Sequence, residues 1–128
     1  MEEQNREVWV GKNRIHLGED NIVYFTAVGE HNGKMAIEIN DAIMKVGEMF
    51  EEKVNVLIDL NNARKPSPEA RKIFKEGIEL EKAGKIAFLG IHPVARMLAS
   101  FGVGMSRKKD LRFFKTKEEA LAWLMEGE

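Results

Sequence analysis

The chain contains no cysteine. Structural disulfides, thiolate metal sites and a cysteine nucleophile are therefore excluded, and the composition fits a cytoplasmic protein. An excess of either charge is also missing: 20 Lys and Arg face 21 Asp and Glu, for a formal net charge of −1. A general nucleic-acid binder draws its affinity from many phosphate contacts made by surplus Lys and Arg, so no nucleic-acid partner is expected. Nowhere does a run of roughly 18 consecutive apolar residues, the signal of a membrane span, occur. The opening MEEQNREVWVGKN is acidic and polar, without the basic stretch and apolar run of an export signal. Repeats, low-complexity tracts and Pro/Gly/Ser-rich linkers are lacking as well. So are a nucleophile elbow, a P-loop, a dinucleotide-binding glycine motif and metal-ligand spacing, which leaves catalysis without a signature and implies no cofactor.

What the 128 residues do contain is the pattern of one α/β domain spanning positions 1–128. A chain of this length hides roughly two thirds of its unfolded surface on folding, enough for a core without staples. Short β-prone stretches, Val8 to Val10 and Arg14 to Leu17, flank Gly11-Lys12-Asn13, and Asn21 to Val28 follows the turn Gly18-Glu19-Asp20. These predict an N-terminal antiparallel meander. Met35, Ile39, Ala42, Ile43, Val46 and Phe50 then recur at steps of three and four, which predicts a helix from Gly33 to Glu51.

Two strand-to-helix units follow, Lys53 to Phe74 and Lys85 to Phe101. Val54 to Leu60 is nearly continuous in apolar character, as a central strand covered on both faces requires. Ser67-Pro68-Glu69 opens a helix: Ser caps free N–H groups, Pro suits the first helical position, and Glu favours the positive end of the dipole. Ala70, Ile73, Phe74, Gly77 and Ile78 form its buried stripe, and Ala83-Gly84 ends it. Ile86 to Ile91 reads as the next buried strand. Pro93 starts a short helix in which Val94, Met97, Leu98 and Phe101 share a face, stopped by Gly102 and Gly104. Leu111 to Phe114 is the final strand, and Thr116 to Glu119 is a capping box before a closing helix that carries Ala120, Leu121, Trp123 and Leu124. The expected architecture is an antiparallel meander followed by mostly parallel strands alternating with four helices.

In such a sheet the carboxyl ends of the parallel strands form the default binding edge. His31, Asn32, Asn61, Asn62, Arg64, Lys65, Ser67, His92, Arg96 and Lys115 are expected along it, and Arg107, Lys108 and Lys109 at the opposite end. VLIDL with its polar loop and Ser-Pro-Glu-Ala, then KIAFLGIHPVARMLA, then RFFKTKEEALAWL resemble in order and spacing the SpoIIAA-like branch of the STAS superfamily. The resemblance covers most of the chain. It implies a fold related to the anti-sigma factor antagonists and to the CRAL-TRIO lipid carriers, and a regulatory rather than catalytic role. In the antagonists a Ser at the start of the helix after the central strand is phosphorylated by a partner kinase. Here Ser67 aligns with the Asp that usually precedes that Ser, and Pro68 and Glu69 occupy the Ser positions, a departure from the phosphorylated pattern.

The candidate ligand or partner residues are Asp59, Asn62, Arg64, Ser67, His92, Arg96, Met97 and Phe101. Ser67 reads as a helix cap; as a phosphosite it would gain from the helix dipole and from Arg64 and Lys65. Asp59 at its strand end reads either as an acid, base or ligand or as a brace that binds backbone N–H groups of its own loop. His92 would emerge at the binding edge with Arg96 one turn on, as a donor to an anionic ligand or as a turn residue. His31 reads as turn chemistry and His16 as a solvent-facing strand residue. Met97, Phe101, Val103 and Met105, followed by Arg107, Lys108 and Lys109, form an apolar segment beside a cationic one, either a lipid-surface footprint or a packed helix and a solvated loop.

Three functions follow. The leading expectation is a non-catalytic regulatory or protein-interaction module. The alternative is a carrier or sensor of a small hydrophobic ligand, acyl or lipid-like, with peripheral membrane association. The third is an enzyme using Asp59 and His92. The expected partners are accordingly a protein or a small hydrophobic ligand, with a homodimer through a sheet edge or the Met-rich helix left open.

Overall fold

A two-residue turn starts the sheet. β1 (Glu7–Val10) and β2 (Asn13–Leu17) are joined by Gly11 and Lys12. Of the two only Gly11 takes a positive φ, +60°, the II′ pattern that matches the twist of a hairpin. β3 (Val23–Gly29) completes the antiparallel meander, with Ile15 opposite Phe25 and Leu17 opposite Val23. The protein is described here by a computed structural model for residues 6–18, 20–48, 53–79, 83–90 and 111–126.

Beyond β3 the chain runs through α1 (Gly33–Gly47), β4 (Val54–Ala63), α2 (Pro68–Ile78), β5 (Ala83–Leu89), β6 (Leu111–Phe114) and α3 (Lys117–Leu124). The six strands lie side by side in sequence order, and β3, β4, β5 and β6 are mutually parallel. Each crossover advances the same way across the sheet, so right-handed connections bring α1 and α2 to the same face.

That face holds the main core. Ile15, Phe25, Val56 and Phe88 from the strands meet Ile39, Ala42 and Val46 of α1 and the half-buried Phe74 and Ile78 of α2. Asn40 in α1 donates from Nδ2 to the Ile73 carbonyl of α2 at 2.8 Å. A Cβ at Gly77 would stand within 2.9 Å of the Asn40 amide, so glycine there leaves room for that amide and its bond to Ile73. The opposite face carries a smaller cluster, in which Trp123 and Leu124 of α3 cover Leu57, Ala87 and Leu89.

β4 contains the one irregularity that bears on the site. Thr26 pairs with Asp59 but Val28 pairs with Asn62, so β4 has one residue more than β3 over this stretch. The bulge lets Leu60 and Ala63, three apart, face the same core instead of opposite sides.

Several sequence expectations change in detail. Among the described residues there are three helices, not four; the helix expected from Pro93 to Val103 lies outside the described residues. α1 ends at Gly47 rather than Glu51, and β4 runs on to Ala63. Ala83 and Gly84 do not end α2, which stops at Ile78, but open β5. The reason is tertiary: the Asn55 Oδ1 of β4 accepts the Lys85 N–H at 2.9 Å, which pulls this stretch into the sheet.

Candidate functional site

The carboxyl edge is laced by main-chain bonds. Arg64 N–H donates to the Gly29 carbonyl at 2.9 Å, and Ser67 N–H donates to the His31 carbonyl at 3.0 Å. The two polar turns after β3 and β4 are therefore a single unit, and the start of α2 is positioned by the loop that starts α1. Ser67 is the N-cap of α2: its side chain accepts from Ala70 N–H at 3.0 Å, with Pro68 in the first turn. Asn32 caps α1 in the same way, accepting from Met35 N–H at 2.9 Å.

Beneath these turns sits a buried polar hub. Asn13, 0% exposed, donates from Nδ2 to the Val10 carbonyl at 2.9 Å, while its Oδ1 accepts from Val28 N–H at 2.8 Å. Those two main-chain partners fix the amide's orientation, since a carbonyl can only accept and an N–H can only donate. His31 Nε2 lies 2.8 Å from the same Oδ1 and must therefore carry the proton. The ring is 5% exposed and meets Phe25 and Phe74 edge-on. Burial lowers its pKa, and a hydrogen bond with the Gly29 backbone opposes that shift in part. His31, read from Glu-His-Asn-Gly as turn chemistry, is thus a core residue at this edge. It was hidden because its partner is 18 positions away.

Next to the hub the main core opens into a cavity of about 140 Å³. Val54, Val56, Ile58 and Leu60 of β4 and Ile86 and Phe88 of β5 form its floor. Ile43 and Met44 of α1 line one side and Phe74 and Ile78 of α2 another, with His31 among the lining residues. The lining is almost entirely apolar. Its charged members among the described residues are all basic: Arg64 after β4, and Arg71 and Lys75 one turn apart on α2. Floor residues Val56, Leu60, Ile86 and Phe88 are buried, whereas Arg64 is exposed and Arg71 and Lys75 are half-buried. Polarity therefore increases from the sheet toward solvent.

The sequence-expected residues divide between the two faces. Arg64 borders the cavity and Ser67 caps the helix beside it. Asp59, by strand alternation, points to the opposite face, and its Oδ1 accepts from Asn61 N–H at 2.9 Å and from Asn61 Nδ2 at 3.0 Å. Asn62 is exposed on the bulge, opposite Val28. Asp59 and Arg64 consequently do not converge on one ligand. His92, Arg96, Met97, Phe101, Arg107, Lys108 and Lys109 lie outside the described residues. His16 is half-buried and stacks on Tyr24 with ring centroids 4.9 Å apart. Missed by sequence reasoning were Asn40, Arg71 and Lys75. The available signal was the spacing Arg71, Phe74, Lys75, Ile78, which sets two cations along the border of an apolar stripe. Among the described residues no group of three or more His, Cys, Asp or Glu could hold a metal ion, and no helix is long and apolar enough to cross a membrane.

Comparisons with known proteins agree on the fold. Residues 16–128 match the profile of a family described as a domain of unknown function, DUF7793. No functionally curated protein matches the sequence. Among solved structures, the chain resembles an uncharacterised protein of the DUF3478 family with a SpoIIAA-like fold from Shewanella loihica PV-4. The TM-score is 0.65 and the identity 19%, over 88% of this chain and 91% of that one. It also resembles the anti-sigma factor antagonist SpoIIAA in its unphosphorylated form, with a TM-score of 0.56 and 16% identity over 88% of this chain and 96% of that one. The fold is therefore SpoIIAA-like, as the resemblance in sequence implied.

Proposed function

The chain belongs to the DUF7793 family, and we propose that this domain is a non-catalytic regulatory module that acts by protein interaction. The observation that carries the reading is the outer face of α1. Ile37 and Met44, two turns apart, are 52% and 37% exposed, an apolar stripe that a partner helix or sheet would cover. The fold supports the same reading, since one structural neighbour is named for its action on another regulator. Control by a phosphoserine at Ser67 is disfavoured: Ser67 Oγ already holds the Ala70 N–H, and Pro68 and Glu69 follow it. The Asp59 Oδ1 already accepts twice from Asn61, as a brace of its own loop would. A photo-crosslinking residue placed at position 37 in cells should give a discrete protein adduct that disappears with Met44→Lys. The same label at Lys72, exposed on α2, should give none. Identical labelling from both positions, or none from either, would remove the α1 face as the docking surface.

A second reading, a sensor or carrier of a small hydrophobic ligand, is favoured by the cavity. Met44 both lines it and reaches solvent, so the contents of the cavity and the outer face of α1 share a side chain. The peripheral membrane contact expected of Arg107, Lys108 and Lys109 belongs with this reading.

A further inference from the structure

We propose that the cavity between the sheet and the α1–α2 pair takes a small carboxylate with a compact apolar body, a short-chain or aryl carboxylic acid. The proposal rests on the ligand-sensing reading and specifies the ligand's charge, size and orientation. Charge comes first. The chain as a whole carries slightly more acid than base, yet each charged residue described at this cavity is a cation. Neither Arg64 nor Lys75 has an ion-pair partner among the described residues. A site with one sign of charge and an apolar wall selects an amphiphile of the opposite sign.

Size follows from the volume. A dry apolar cavity of about 150 Å³ accepts benzene, so the 140 Å³ here suits a body of about six to eight carbons rather than a long acyl chain. Orientation follows from the gradient of exposure. A carboxylate placed deep among Val56, Ile86 and Phe88 would lose its hydration without a partner, which is prohibitive. Placed at Arg64 and Lys75, it keeps water and gains charge-assisted bonds while the body fills the apolar interior. His31, buried and already bound to Asn13, contributes wall.

The test is calorimetric titration of the full chain with octanoate and, separately, with 1-octanol, which has the same number of carbons and no charge. Octanoate should bind at least about tenfold more tightly than octanol, the worth of one charge-assisted contact. Arg64→Gln with Lys75→Gln should abolish that preference. Lys72→Gln, an exposed cation on the same helix, should leave both unchanged. Thermal melts of each variant check that the fold is retained. Equal binding of octanoate and octanol to the native chain would overturn the carboxylate assignment and leave a neutral hydrophobic ligand standing. Binding of neither would overturn both this assignment and the ligand-sensing reading. A preference lost equally in Lys72→Gln would reduce it to non-specific surface charge.

Discussion

The two faces of the sheet are closed by different physics. On the α1–α2 face a broad apolar cluster does the work, and its irregular shape leaves a cavity. On the α3 face the apolar cluster is smaller, and polar bonds fasten the helix. Asn55 Nδ2 donates to the Leu124 carbonyl at 3.1 Å, and Lys85 Nζ donates to the Trp123 and Glu126 carbonyls, each at 2.9 Å. The Leu124 carbonyl belongs to the last turn of α3, where acceptors lack intrahelical donors, and the Trp123 carbonyl also accepts from the Glu126 N–H at 3.2 Å. Lys85 also lies 5.3 Å from the centre of the Trp123 ring, as does the Arg112 guanidinium. The face with area to spare can hold a hole; the face with little area is fixed by directional contacts.

The largest break in this contrast comes from the polar hub beneath the broad cluster. Asn13→Leu keeps the branching and heavy-atom count but strands the Val10 carbonyl, the Val28 N–H and the His31 N–H, so a loss of about 3–5 kcal/mol is expected. Urea unfolding would show it as a lower midpoint at constant slope, and a loss below about 1 kcal/mol would mean that water replaces the amide. Asn55→Ala should cost about 2 kcal/mol by removing two bonds at the clasp. Its signature is local: amide exchange in α3 should speed up while β2 and β3 stay protected. Loss of protection in α1 as well would show that the two faces are not independent.

The smallest effect is one of pH. His31 has a lowered pKa because it is buried, and His16 has one because burial and then Arg14 disfavour its charge. The unfolded chain therefore binds protons at these sites before the folded chain does. Stability should be full above the unfolded histidine pKa of about 6.5, fall as pH drops through the folded values, and level off below them. Melting temperatures between about pH 7.5 and about pH 5 would trace this, and His31→Gln, which retains a donor for Asn13, should flatten the decline.

Local chemistry was legible. The order of the described strands and helices, the hairpin around Gly11, the Ser67 cap and the Thr116 cap could each be read from a few neighbouring residues. Thr116 Oγ1 accepts from Glu119 N–H at 3.3 Å as the capping pattern requires, although its hydroxyl rather than its backbone N–H meets the Glu119 carboxylate, at 3.0 Å. The burial of Asn13 and His31 was not legible because each sits in a turn-like string, and a buried polar residue is recognisable only once its partner is known. Asp59 was grouped with Arg64 because both flank the same strand end. Alternation and the bulge send them to different sides.

The sequence by itself determined the periodicities, the caps and the right-handed alternation of strand and helix, since those depend on backbone and side-chain preferences within a few residues. It also set the overall charge balance. Only the tertiary structure decided where α3 is clasped, that His31 is buried, and that an apolar cavity bordered by Arg64, Arg71 and Lys75 lies under α2. Each of these is a meeting of residues far apart in the chain, and burial, cavity volume and the sign of charge around an opening are properties of such meetings rather than of any segment.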